Sequence, residues 1–178
     1  MAHAHTAEAV HFSPIAMLDP DRAGAGGVML SAVLPLAGLV AVNAGAEMMG
    51  LRAPAPAMAW IAIAPLVFLP LWGVARWQVV QRGANGQAAG RWIIALMAAA
   101  IVAPWMSAGA DALVGSMITM MVMLIGVAAA ARAAMVSKLA AALLLPGLLW
   151  AGAGAVVGFG AAAGGWSPPF GLTNSIRS

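Results

Sequence analysis

The sequence predicts an all-α fold, an integral membrane bundle of five transmembrane helices, and three observations predict it. Charged residues make up only 7% of the 178 positions and apolar residues 63%, whereas about 25% charge is usual in a soluble domain. The few charges are spaced so that five gaps can each hold the roughly 20 apolar residues of a spanning helix. Within those gaps the apolar residues run on without the in–out alternation of a transmembrane strand.

The charge-free intervals place the elements in order. Arg22 to Glu47 encloses 24 uncharged residues and predicts a span over 28–46. Arg52 to Arg76 encloses 23 and predicts 58–80; Arg91 to Asp111 encloses 19 and predicts 92–107. The third span is the shortest, because Pro104 and the Ser107–Gly109 stretch cut into it. Asp111 to Arg132 encloses 20 and predicts 112–131. Lys138 to Arg177 encloses 38, but its second half is rich in Gly, Pro, Ser, Thr and Asn, so one span over 139–163 is predicted. A polar N-terminal tail, 1–27, and an extended C-terminal tail, 164–178, flank this transmembrane domain, 28–163. Short links at 47–57, 81–91, 108–111 and 132–138 make sequential helices antiparallel neighbours.

Lys and Arg placement orients the bundle. Arg22, Arg76, Arg82, Arg91, Arg132 and Lys138 fall on one side; Arg52 and Arg177 fall on the other. The N-terminus is therefore expected in the cytoplasm and the C-terminus outside. The first 27 residues carry Glu8, Asp19 and Asp21 and lack a basic start followed by an apolar core, so they do not read as a cleavable signal peptide. The first span is expected to act as the insertion signal.

Composition also excludes function classes. Eight scattered cations do not make the clustered basic face of a nucleic-acid binder. No Cys is present, which removes thiolate and iron–sulfur chemistry. No nucleophile–base pair or phosphate loop is visible, and a non-enzymatic binding or assembly protein is expected. No metal site is expected: His3 and His5 form a two-ligand His-x-His with His11 further along the tail, and Met117, Met120, Met121 and Met123 serve as flexible apolar filler. No His lies in a span, so axial haem ligation there is not available. A proton relay would need acids or His at depth, and there are none. Asp111 suits a helix N-terminus, and Arg76 can snorkel.

The seven Trp carry most of the functional content. Trp77, Trp92 and Trp166 fall near span ends, as membrane-interface anchors do. Trp72 and Trp150 lie deeper, and Trp60 and Trp105 near the outer end. These four either fill the core or line a pocket for a flat apolar ligand. Gly154 with Gly158, and Gly160 with Gly164, form small-xxx-small pairs. Such pairs serve packing within one chain or a dimer seam. Pro35, Pro65, Pro70, Pro104 and Pro146 predict kinks that open space between helices.

The last span reads Ser137, Lys138, Ala140, Ala141, Leu143, Leu144, Pro146, Leu148 and Trp150 in ungapped step. This resembles the last-helix signature of the TspO/MBR family (tryptophan-rich sensory protein, translocator protein). Leu71 to Trp77 is similar to the family's second-helix end, and Pro54, Pro56 and Trp60 to its first-loop motif. Gly147 stands where the family has Tyr, and Gly158 where it has Asn. With no Tyr in the chain, a Tyr-containing sterol motif is excluded. The resemblance implies a five-helix bundle, often dimeric, that binds tetrapyrroles such as haem or protoporphyrin beneath the first loop. It implies a sensory or transport-assisting role in a bacterial membrane, with no covalent cofactor. Trp150 and Pro146 carry over from the last-helix signature and Trp60 from the loop. Phe68, Trp105 and Met120 join them as ligand-binding candidates by position and size, and Arg52 as a partner for propionates. The partners expected are the lipid bilayer, a tetrapyrrole or lipid ligand, and a second copy or larger complex. The alternative function is a structural accessory subunit of a photosynthetic or respiratory membrane complex.

Overall fold

The computed structural model describes residues 19–51 and 59–164, with the side chains of 59–62 outside that description. The His3–His5–His11 tail, the loop motif with Arg52, Pro54 and Pro56, the Trp60 side chain, Trp166 and the remaining C-terminal tail lie outside the described residues. Five helices form: α1 (Ala25–Met48), α2 (Ala59–Val80), α3 (Ala84–Met106), α4 (Ala112–Val136) and α5 (Lys138–Gly164). All five are long and apolar enough to cross a membrane. The protein is an all-α integral membrane protein. Helices are the required form, because hydrocarbon offers no partner for a backbone N–H or C=O and each helix satisfies its own.

Two links are tighter than the sequence predicts. The expected loop over 81–91 shrinks to three residues, and α3 starts at Ala84, eight positions before the predicted 92. Gly83 makes the reversal with φ near 80°, a conformation that favours glycine. Arg91 does not end the helix, since a cation at the membrane surface is compatible with helical backbone. The expected loop over 132–138 reduces to Ser137 alone. Ser137 is extended, donates its N–H to the Ala133 carbonyl (2.7 Å), and accepts the Ala140 N–H on its hydroxyl (3.3 Å). One residue thus closes α4 and opens α5. At the opposite end Asp111 caps α4 by accepting the Val114 N–H at 2.8 Å, as an acid at a helix N-terminus should.

Helices α2, α3, α4 and α5 form a ring in which each packs on the next and α5 returns to α2. Helix α1 lies outside this ring, against α2 and more lightly against α3. The core stripe falls on Leu69, Trp72, Ala75 and Val79 of α2, Ala89, Ile93, Leu96 and Met97 of α3, Val122, Ala129 and Ala133 of α4, and Ala140, Leu144 and Leu148 of α5. Steps of three and four residues put each set on one helix face.

Shape complementarity fixes the contacts. A Cβ on Gly147 would run into the Trp72 indole, one on Gly126 into Leu148, and one on Gly158 into the Ser116 hydroxyl. Gly73 of α2 likewise lets the Ser31 backbone of α1 approach. The Gly154–Gly158 pair faces α4, with Thr119 and Ser116 opposite, so it packs within the chain. Gly160 and Gly164 meet nothing within 4 Å among the described residues.

Trp72 is 5% exposed, and its indole N–H has no hydrogen-bond partner among the described residues. Overpacking typically costs about 1–3 kcal/mol. Gly147→Ala, which sets a methyl against the indole, should lower stability by about that amount, read as a lower thermal midpoint in detergent. Replacement of an outward-facing residue such as Leu149, 73% exposed, by Ala should leave the midpoint nearly unchanged.

Candidate functional site

The buried core is concentrated toward the end of the bundle where the α2–α3 and α4–α5 turns lie. Beyond the level of Trp72 and Leu148, buried positions continue at Leu69, Leu96, Met97 and Val122 and then thin to Ile101, Ser116 and Ala155 among the described ring residues. In that stretch, Phe68 of α2 and Trp150 of α5 stand together. Their ring centroids are 6.3 Å apart and tilted by 47°, within the range of a favourable aromatic pair. Both are half-buried. The pair sits 12 residues from Val80 on α2 and 12 from Lys138 on α5, hence about 18 Å along the helices from the turns.

The other candidates take different places. Trp105 is half-buried near the end of α3, and Met120 is half-buried on α4. Both belong to the outer half, as Phe68 and Trp150 do. Pro146 lies on the exposed side of α5, so of the last-helix signature Trp150 turns toward α2 and Pro146 does not. Trp60 belongs to the first turn of α2. Met117 and Met121 face outward at 56% and 65% exposure, while the Met123 sulfur lies near Gly152. The methionines therefore do not converge on one point. Among the described residues no group of three or more His, Asp or Glu is placed to hold a metal ion.

Electrostatics gather at the turn end. Arg76 grips Asp21 with both guanidinium nitrogens, Nη1 to Oδ1 at 2.8 Å and Nη2 to Oδ2 at 3.2 Å. Around this pair Trp77 Nε1 donates to the Arg22 carbonyl (3.0 Å), Gln81 Nε2 to the Asp21 carbonyl (2.5 Å), and Ser31 Oγ to the Pro20 carbonyl (2.8 Å). These bonds clasp residues 20–22 over the end of α2. Arg76, read from sequence as a snorkelling cation, has a specific acidic partner; the signal was an acid in the tail and a lone cation near a span end. The Trp77 N–H, expected in water at the interface, is instead satisfied by the Arg22 carbonyl. Across the same end Arg82 Nη1 donates to the Val136 carbonyl at 2.6 Å and ties the two turns together.

Trp72 is the functional-looking residue whose role sequence left open between core and pocket, and the structure makes it core. Its counterpart was legible only as a small residue, Gly147, in the signature of the last helix. Compared with known proteins, the chain matches no family model, no curated protein and no solved structure.

The Arg76 side chain is 15% exposed and that of Asp21 40%. A double-mutant cycle of Asp21→Asn and Arg76→Gln should give a coupling of about 0.5–1 kcal/mol in thermal stability, the range of a partly exposed pair. The coupling should shrink as salt is raised.

Proposed function

We propose that this membrane protein binds a flat, apolar ligand of the tetrapyrrole class against the Phe68–Trp150 pair, in the outer half of the bundle between α2 and α5. The observation that carries this reading is the pair itself: two rings in contact across α2 and α5, both only half-buried. A planar guest stacks on aromatic rings at little conformational cost, since two χ angles fix each aromatic side chain. Trp105 and Met120 are half-buried on α3 and α4, farther from the turns than the pair. The last-helix resemblance to TspO/MBR proteins points to the same ligand class. The role is sensory or transport-assisting and not catalytic, in a bacterial membrane, with the basic turn end in the cytoplasm and the C-terminus outside.

A titration of tryptophan fluorescence with protoporphyrin IX tests this. Saturable quenching is expected for the wild type. Trp150→Ala and Phe68→Ala should each weaken the apparent affinity about three- to tenfold, the worth of one aromatic contact. Absence of saturation, or unchanged affinity in both variants, overturns the reading.

A second reading, a structural accessory subunit of a larger membrane complex, is favoured by the Trp72–Gly147 contact. There α2 and α5 close on each other, and the indole fills the space a guest would need at mid-bundle. Native mass spectrometry of mildly extracted protein separates the two. Stoichiometric partner subunits support the accessory role; a chain or homodimer carrying pigment supports the ligand-binding one.

A further inference from the structure

A second site lies at the opposite end of the bundle from the aromatic pair and is independent of it. Between the start of α3 and the end of α4 lies an open surface hollow of about 250 Å³, lined by Asn85, Ala88, Ala89, Arg132, Met135 and Val136, with Ala89 buried at its floor. We propose that this hollow binds a phosphate-bearing anion, with the Arg132 guanidinium and the Asn85 amide as its donors.

Four observations carry the proposal. The room is built into the helices: alanines at 88 and 89 leave space where α3 faces α4. The charge is unspent, because the ion pair among the described residues joins Arg76 to Asp21, and Arg132 has no carboxylate partner there. A planar guanidinium presents a fork of N–H groups that matches two phosphate oxygens, and an amide adds two further donors. The depth is right, since Asn85 is the second residue of α3 and Arg132 lies four residues from the end of α4. The ends of apolar spans are where lipid phosphates are met. The rim is apolar on one side, with Met135 75% exposed, which leaves a path for acyl chains. Arg82, bonded to the Val136 carbonyl, holds one wall of the hollow in place. Basic pockets between membrane helices on the cation-rich face are the kind that take anionic headgroups. A lipid headgroup and a free phosphate share this chemistry.

Native mass spectrometry of the full chain, titrated separately with phosphatidylglycerol, phosphatidylcholine and inorganic phosphate, tests the assignment. Phosphatidylglycerol should be retained in preference to phosphatidylcholine, and Arg132→Gln should cut that retention about fivefold, the effect of one cation at a membrane surface. Ala88→Leu, which fills the hollow and leaves every charge in place, should reduce retention as well. Arg91→Gln, at the same end but outside the hollow, should change it by less than about twofold. Inorganic phosphate that displaces the lipid identifies free phosphate as a ligand in its own right; failure to displace it assigns the site to the lipid headgroup. The proposal is overturned if Arg132→Gln and Ala88→Leu both retain phosphatidylglycerol as the wild type does. It is equally overturned if Arg91→Gln loses as much as Arg132→Gln, because attraction is then diffuse. Arg132 is exposed, so its substitution leaves the core intact.

Discussion

The contact between Trp72 and Gly147 sets the geometry of the bundle, because in lipid there is little else for it to rest on. Association of apolar helices in hydrocarbon gains almost nothing from the hydrophobic effect, so fit must supply it. The largest side chain meets the smallest at mid-bundle, and the pattern repeats with Leu148 over Gly126 and Ser116 beside Gly158. Each fit brings two helix axes closer than paired large residues would allow. The indole N–H goes without a partner among the described residues, a penalty of about 1–3 kcal/mol for a buried donor. Packing that tolerates such a cost outweighs hydrogen bonding at that level.

The same constraint explains why the ends of the bundle matter. Where helices reach water, charge and hydrogen bonding regain their strength, and the chain concentrates both at the turn end. The Asp21–Arg76 pair holds the segment before α1 against α2, and Arg82 joins the α2–α3 turn to the end of α4. Helix α1 needs this tie more than the others, since it packs outside the four-helix ring. The buried residues of α1 are Gly27, Ser31, Pro35 and Ala46, a small-residue face with little grip of its own. Ser31 serves twice, bonding the Pro20 carbonyl and letting Gly73 of α2 approach.

The fold class and all five helices were legible in the sequence because the physics behind them is one-dimensional: a charge-free run long enough to cross hydrocarbon. Helix ends were legible where a residue forces them, as Asp111 does at the start of α4. A charge by itself is a poor boundary marker, as Arg91 shows: α3 begins at Ala84 and carries that cation within its helical backbone. Inward and outward faces were not legible. In a soluble helix the solvent face is polar and marks itself; here Leu144 points inward and Leu145 outward, and both are leucine. Residue size was the remaining signal, and it needs the opposing helix to be read, which is why Gly147 appeared as a departure from a motif and not as the slot for Trp72. For the candidate site, the sequence singled out Phe68 and Trp150 separately, and the structure puts them in contact. Pro146 shares the motif with Trp150 yet is exposed, because four residues advance a helix by slightly more than a full turn and carry it past the edge of the face that meets α2.

The uneven distribution of burial gives the two ends of the bundle different capacities. Toward the turns, steps of three and four residues bring small and large side chains into register on all four ring helices, and the interior is closed. Toward the far end buried positions are sparser, Val122, Ile101, Ser116 and Ala155, and large residues such as Phe68, Trp105, Met120 and Trp150 are only half-buried. A densely buried half beside a less buried one is the arrangement in which a guest can enter with little unpacking of the core. The aromatic pair and the Arg132 hollow are then separated by that closed half, about 12 Å of helix. If both proposed sites bind, occupancy of one need not displace the other, because Trp72 fills the space between α2 and α5 at the level that divides them.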